Sequence, residues 1–256
     1  MKKIVAGPLM LFLSLAAFGQ SQFDSHDFSG FWAPADNGGH AIGNKAPPLT
    51  PAGVAAMKGR IPDSRAGIGN APWYQCNPMG FPRLVNDKES IEIVMDGKAR
   101  ILELFQWEHT LREIWTDGRV LPSGENLENL GPAWYGHSVG QWQGDTLVVN
   151  TVGLDERAWL DNAGNPKSFH ARIEERFKRI GPDHIEYQIT LYDPEFYTAP
   201  WAGAVRTYHR LPKNQIEYFG WKGLFSGLME QICAPMNEVE DYNKRFRDPA
   251  NGIIFK

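Results

Sequence analysis

The stretch that decides the fold lies at residues 91–105 and reads IEIVMDGKARILELF. Its first part alternates between large apolar side chains and polar or smaller ones with a period of two, which is typical of a β-strand with one buried face. Asp96-Gly97 is a dipeptide that tight hairpin turns favour, and a second strand-like run extends from Ala99 to Phe105. The stretch therefore predicts an antiparallel hairpin.

The same pattern recurs along the rest of the chain, with turn sequences such as Asp117-Gly118 between the runs. The further predicted strands are 110–116, 138–142, 146–152, 172–180, 185–192, 204–211 and 215–221. Consecutive strands with short turns form an antiparallel meander, and a meander of about eight or more strands tends to close because closure removes exposed edges. We therefore expect a mostly β protein in which residues 91–221 form one antiparallel sheet closed into a barrel. A β-sandwich is the alternative.

The N-terminus has the pattern of a secretory signal. Two lysines precede an apolar run at residues 4–18, and Ala17-Phe18-Gly19 places small residues at the −3 and −1 positions of a cleavage site. This predicts a signal peptide at residues 1–19 and a periplasmic or secreted chain with no stable membrane span after cleavage. An uncleaved anchor is the alternative, although the run is shorter than the roughly 20 residues that a span needs.

Residues 20–256 are expected to form a single domain. Residues 20–90 are predicted to wrap over the barrel as loops, because the stretch is rich in Gly, Pro, Asn and Ala from residue 33 onward. One short helix is expected there, with Thr50 as N-cap and Pro51 at the first helical position. A short C-terminal helix is predicted at residues 235–247.

The cysteine count and the charge balance narrow the functional classes. Cys76 and Cys233 are the only cysteines, and an even count in an exported chain predicts a disulfide, with two separate buried thiols as the alternative. The formal net charge is −4 and the sequence has no basic stripe. A nucleic-acid partner is therefore not expected.

Residues 134–153 read WYGHSVGQWQGDTLVVNTVG and resemble a motif of a large family of uncharacterised exported bacterial proteins. Further matching elements lie at residues 27–32, 76–83 (with one spacer residue missing), 117–119, 175–176 and 193–201. The resemblance implies a lipocalin-like β-barrel and implies no established activity. The Gly-Phe-Trp element at residues 30–32 also resembles the opening strand of lipocalins.

His137 is the first candidate for chemistry. It lies between Gly136 and Ser138, directly after an aromatic pair, so the small neighbours are expected to leave its ring accessible. Histidine titrates near neutral pH, which suits a residue that transfers protons. A structural histidine that bonds to loop backbone is the alternative.

Two glutamates and two arginines complete the candidate catalytic set. Glu103 and Glu175 fall on alternations that otherwise carry apolar side chains, so we expect them to point into the barrel, where a carboxylate must be paired. Arg83 and Arg119 are the candidate partners, either to balance a glutamate or to hold an oxyanion. A polar lock in the core is the alternative for each pair.

Loop residues near His137 are candidates for binding a ligand. Trp134, Tyr135, Trp159 and Asp161 lie in predicted loops, and Asp117 lies in a turn where turn chemistry alone also explains it. Broad aromatic faces with polar tips suit a small hydrophobic or aromatic molecule.

Several motifs are absent from the sequence. It contains no His-x-His, Cys-x-x-Cys, His-Glu-x-x-His, phosphate loop or dinucleotide fingerprint, so no dedicated metal site and no cofactor are expected. The leading hypothesis is a barrel with a small hydrophobic ligand in its interior, acting as a cofactor-independent acid/base enzyme such as a lyase, isomerase or hydrolase. A non-catalytic carrier and a carbohydrate-binding envelope protein are the alternatives. The sequence leaves both a monomer and an oligomer open.

Overall fold

The computed structural model describes residues 23–35, 42–43, 45–62, 69–86, 89–97, 99–211, 216–218, 221–223, 228, 233–234, 240 and 244. The predicted signal peptide lies outside the described residues, and so does the predicted C-terminal helix except for Glu240 and Lys244. Within the described ranges, no helix combines the length and the apolar character needed to cross a bilayer.

Strands dominate the described part of the chain. They are β1 (Gly30–Pro34), β2 (Ile91–Met95), β3 (Arg100–Phe105), β4 (Leu111–Trp115), β5 (His137–Gln143), β6 (Thr146–Val152), β7 (Arg172–Gly181), β8 (His184–Tyr192), β9 (Trp201–Ala202), β10 (Arg206–Arg210), β11 (Ile216–Tyr218) and β12 (Trp221–Gly223). Two α-helices are α1 (Pro51–Ala56) and α2 (Gly124–Leu130), and short 3-10 helices lie at Pro72–Gln75, Arg83–Asn86 and Trp107–His109.

Nine strands close into a barrel, which confirms the predicted fold class. β1 to β8 are neighbours in chain order, and β10 closes the barrel by pairing with both β8 and β1. β9 extends the sheet from the end of β8. β11 and β12 form a separate hairpin, so the sheet predicted over residues 91–221 is interrupted before its last strand.

One joint makes the barrel mixed rather than purely antiparallel. β4 and β5 lie parallel, with Ile114 opposite Ser138 and Trp115 opposite Val139. Parallel neighbours cannot be joined by a tight turn, so the chain has to return along the barrel before β5 begins. Residues 116–136, which include α2, make this return and are named the crossover below.

The two ends of the barrel differ in their connections. Tight connections join the strands at one end, at residues 96–99, 144–145 and 182–183. Long connections lie at the other end, named the loop end, between β1 and β2, β3 and β4, β6 and β7, and β8 and β10. Most of the described residues that connect the strands therefore lie at the loop end.

The inward side chains fill the barrel. Strands β7 and β8 alternate between buried and more exposed residues along their length, as the period of two predicts. The cavity between Trp32, Glu103 and Tyr187 has a volume of about 10 Å³. This is room for one water molecule at most. The small ligand expected in the interior would not fit this cavity.

Two local predictions are confirmed at the loop end. α1 begins after Thr50, whose side chain accepts a hydrogen bond from the backbone N–H of Gly53. Cys76 and Cys233 form a disulfide with their Cα atoms 5.5 Å apart. Because Cys76 directly follows the 3-10 helix Pro72–Gln75, the bond fixes a C-terminal residue to the N-terminal wrapping segment.

Candidate functional site

The structure divides the candidate catalytic residues between two sides of the barrel wall. Glu103 and Glu175 are buried and face the interior, as their strand phases predicted. Successive side chains of a strand point to opposite faces. Ser138 faces the interior, where it contacts Arg112, so the adjacent His137 faces the outer side of the wall. His137 therefore does not share a site with the two glutamates.

The interior glutamates share one guanidinium, that of Arg112. Nη1 of Arg112 donates to Oε2 of Glu103 at 2.8 Å, and Nη2 donates to Oε2 of Glu175. The same Nη2 donates to the hydroxyls of Ser138 at 3.1 Å and Thr151 at 3.0 Å. Sequence reasoning proposed Arg83 or Arg119 for this role and missed Arg112. The alternation of inward and outward side chains along β4 could have identified Arg112, because it lies on the same face as buried Ile114. Arg112 also lies opposite Glu103 in the β3–β4 register.

Two rings complete the enclosure of this ion cluster. The hydroxyl of Tyr187 donates to Oε1 of Glu175 at 3.0 Å. The ring of Phe81, from the wrapping segment, lies 3.9 Å from the guanidinium carbon of Arg112. Both side chains are almost fully buried, so the cluster is closed by packed aromatic rings.

The charges of the cluster are unequal, with two carboxylates to one guanidinium. Burial raises the pKa of Glu103 to about 7, and the nearby charge of Glu175 adds to the rise while Arg112 opposes it. Burial lowers the pKa of Arg112, but the two carboxylates outweigh it and the net pKa is raised. A proton on Glu103 makes the cluster neutral. Because the cluster is closed and neutral, it is better explained as a structural ion cluster in the core than as a general base that contacts a substrate.

Arg83, Trp159 and Asp161 lie together at the loop end rather than near His137. Nε of Arg83 donates to Oδ1 of Asn162 at 2.7 Å, and its guanidinium lies 5.5 Å from the ring of Trp159. Asp161 accepts hydrogen bonds from the backbone of Ala163 and from neighbouring loop residues. Burial raises the pKa of Asp161 despite these bonds. This group holds the loops at residues 153–171 in place.

Asp117 and Arg119 lie in the crossover just after β4. Nη2 of Arg119 donates to Oδ2 of Asp117 at 2.7 Å, and Nε donates to Oδ1 at 2.9 Å. The hydrogen bonds from Arg119 hold the pKa of Asp117 below its ordinary value. The guanidinium of Arg119 lies 3.5 Å from the ring centre of Trp115. Asp117 and Arg119 therefore form an ion pair that lies against an aromatic ring on the outer wall.

A groove of about 530 Å³ runs along the outer wall between β4, the crossover and the start of β5. Of the candidate residues, Trp134, Tyr135, His137 and Arg119 line it, together with Trp115. Its aliphatic lining is formed by Leu111, Val120 and Leu130. These are three of the eight large hydrophobic side chains that are exposed in the described ranges. Exposed apolar surface is thus concentrated in one concave place, which is typical of a binding site.

Gly136 sets the course of the chain at this groove. Its φ is +66°, a conformation that suits glycine, and a Cβ there would lie 2.6 Å from Cγ2 of Thr151. The close approach lets the aromatic pair Trp134-Tyr135 turn along the groove directly before β5 starts. The hydroxyl of Tyr135 lies 3.3 Å from Oγ1 of Thr110.

The ring of His137 is oriented by backbone. Nε2 lies 3.3 Å from the carbonyl oxygen of Gly131, and this oxygen can only accept, so Nε2 carries the hydrogen. The Cδ2–Nε2 edge packs against Gly153. In the neutral ring, Nδ1 is then a hydrogen-bond acceptor on the opposite edge. No described residue forms a hydrogen bond with Nδ1.

The described residues contain no group of three or more His, Cys, Asp or Glu placed to hold a metal ion. A scan against models of protein families and searches of curated proteins and of solved structures find no match to this chain. The family resemblance of residues 134–153 therefore stays a prediction.

Proposed function

We propose that this is an exported β-barrel protein that binds a small, flat and largely apolar molecule in the groove beside the crossover. The observation that carries the proposal is the concentration of three aromatic and three exposed aliphatic side chains around one volume of about 530 Å³. This volume lies within the range of roughly 300–1,000 Å³ that small-molecule sites occupy. The groove, and not the filled interior, is the binding place.

The driving force is the apolar surface that the groove leaves in contact with water. Covering such surface contributes roughly 25 cal/mol for each Å² removed from solvent. Leu111, Val120 and Leu130 are all exposed, so a ligand that lies over them gains this free energy at each contact.

Export is supported by the disulfide between Cys76 and Cys233 together with the signal pattern of residues 1–19. Disulfides persist in oxidising compartments and are rare in the cytosol. The periplasm or the medium is thus the proposed location.

A matched pair of variants tests the groove. Leu111 and Ile180 are both 50% exposed and both lie on strands, but only Leu111 lines the groove. We expect Leu111→Ser to weaken binding of an uncharged naphthalene probe by roughly fivefold or more, because one aliphatic contact is lost. Ile180→Ser should leave the affinity unchanged, as followed by probe fluorescence. Equal affinities in the two variants would contradict the groove as the site.

An acid/base enzyme remains the second candidate, and the position of His137 in the lining of the groove favours it. This histidine lacks the partner residues that the sequence suggested. Glu103 and Glu175 lie in the interior, and Arg119 is paired with Asp117. Conversion of a bound ligand to a product would distinguish the enzyme from the carrier. A sugar-binding surface is less well supported, because sugar hydroxyls over the exposed aliphatic side chains Leu111, Val120 and Leu130 would lose water without gaining hydrogen-bond partners.

A further inference from the structure

The charged side chains at the groove are neutralised by partners. Arg119 is paired with Asp117 at 2.7 Å, and Glu113 is paired with Arg100. The guanidinium of Arg112, on the interior side of the wall behind the groove, is balanced by the two interior glutamates. Arg157, which lies over the ring of Trp134, is paired with Asp155. An ionic ligand would lose its hydration in the groove without gaining an unpaired charge of opposite sign. Burying an unpaired charge costs free energy.

The hydroxyl of Tyr135, which lines the groove, already contacts Thr110. His137 differs, because its Nε2 is used by Gly131 while Nδ1 has no partner among the described residues. Nδ1 can only accept in the neutral ring, so it needs a donor from the ligand.

We propose that the ligand of the groove is an uncharged aromatic molecule of the phenol class, whose hydroxyl donates a hydrogen bond to Nδ1 of His137. This proposal rests on the proposed function and names the ligand class of the same groove. The ring of the phenol lies against the aromatic and aliphatic lining, and its hydroxyl provides a hydrogen-bond donor for Nδ1 of His137. Removing a neutral hydroxyl from water costs less free energy than removing a carboxylate or an ammonium group.

Three naphthalene probes separate these requirements at neutral pH. Naphthol carries the hydroxyl donor, methoxynaphthalene keeps the oxygen but lacks the donor, and naphthoate carries a charge. For the wild type we expect naphthol to bind on the order of tenfold more tightly than methoxynaphthalene, the effect of one satisfied hydrogen bond. Naphthoate should bind most weakly of the three.

Two variants of His137 assign the preference to its ring. In His137→Leu, the affinity ratio of naphthol to methoxynaphthalene should fall to about one, while methoxynaphthalene still binds and reports an intact groove. In His137→Gln, the amide oxygen can accept, so part of the preference should return.

The outcomes separate the two proposals. Equal binding of naphthol and methoxynaphthalene by the wild type, or a preference that survives in His137→Leu, would overturn the phenol assignment and leave the groove as an apolar site. Tighter binding of naphthoate would also overturn it. If none of the three probes binds, the groove itself is not the site and both proposals are wrong.

Discussion

The side chain of Arg112 connects strands of the barrel wall through hydrogen bonds. Its network joins Glu103, Ser138, Thr151 and Glu175, and Tyr187 extends it from the far side. These residues come from β3, β4, β5, β6, β7 and β8, so one network spans six consecutive strands. It also crosses the β4–β5 joint, where the register includes only two residue pairs. Side-chain hydrogen bonds there support a joint with little backbone pairing.

At the residue scale, Glu103 should make the protein less stable as the pH rises from about 4.5 to about 7. The folded state holds the proton of this carboxyl up to a pKa of about 7, whereas the unfolded chain releases it near 4.5. Unfolding in this window therefore releases a proton, so the free energy of unfolding falls with rising pH, by at most roughly 1.4 kcal/mol per pH unit. Above the window both states are ionised and the slope vanishes.

Glu103→Gln removes the titrating group and should lack this slope when urea unfolding is measured across the window. Glu113→Gln is the matched control, because Glu113 lies on the neighbouring strand but its side chain is only half-buried. The control should keep the slope of the wild type. The same slope in Glu103→Gln as in the wild type would show that Glu103 is not the titrating group.

At the scale of elements, the joint between the crossover and β5 should depend on Gly136. A Cβ at this position would lie 2.6 Å from Cγ2 of Thr151 and 2.8 Å from the carbonyl oxygen of Val152. Gly118 also has a positive φ, of +87°, but a Cβ there would meet nothing within 4 Å. Alanine at either position introduces backbone strain of roughly 1 kcal/mol. Only Gly136→Ala also adds a clash with packed backbone.

We therefore expect Gly136→Ala to lower the free energy of unfolding by roughly 2–4 kcal/mol and Gly118→Ala by about 1 kcal/mol. Urea unfolding of both variants measures the difference. Similar losses in the two variants would mean that the close packing of Gly136 against β6 relaxes without cost.

The strands of the wall could be predicted from the sequence because each buries one face. The predicted bounds of β2 and β6 match the structure, and the inward phase of Glu103 and Glu175 followed from the same alternation. The parallel direction of β5 could not be predicted, since a period of two is the same in either direction. Helix α2 was missed because its sequence, GENLENL, is short and mostly polar.

The candidate site was predicted less completely than the wall. Because His137 and Ser138 are adjacent, one side chain has to face the interior of the barrel and the other its outer side. The sequence alone could therefore have shown that the two side chains lie on opposite sides of the wall. The filled interior could not be predicted from the sequence. The cavity at Glu103 is small because Trp32, Tyr187 and Tyr208 pack around it, and these residues lie on strands that are far apart in the sequence. The groove likewise forms only where the crossover lies against β4.

At the scale of the whole molecule, the barrel is closed by strands from the two ends of its sequence. β1 pairs with β10, with Trp32 opposite Arg210. The disulfide between Cys76 and Cys233 connects the same two regions of the chain covalently at the loop end, across a separation of 157 residues. Strands β2 to β10 all lie inside the loop that this bond closes. The cross-link therefore restricts most of the barrel sequence in the unfolded chain.

Loss of the disulfide should lower stability without removing the groove. The chain-entropy model gives about 5 kcal/mol as an upper figure for a loop of this length, and a compact unfolded state reduces it. We expect the double variant Cys76→Ala/Cys233→Ala to unfold at lower urea concentration than the wild type, with an unchanged affinity for naphthol under conditions where both are folded, because neither cysteine lines the groove. Reductant should move the unfolding midpoint of the wild type to that of the variant and leave the variant unaffected, which separates loss of the bond from loss of the side chains. A wild-type midpoint that does not respond to complete reduction would show that the N- and C-terminal regions are held together by the β1–β10 pairing and packing alone.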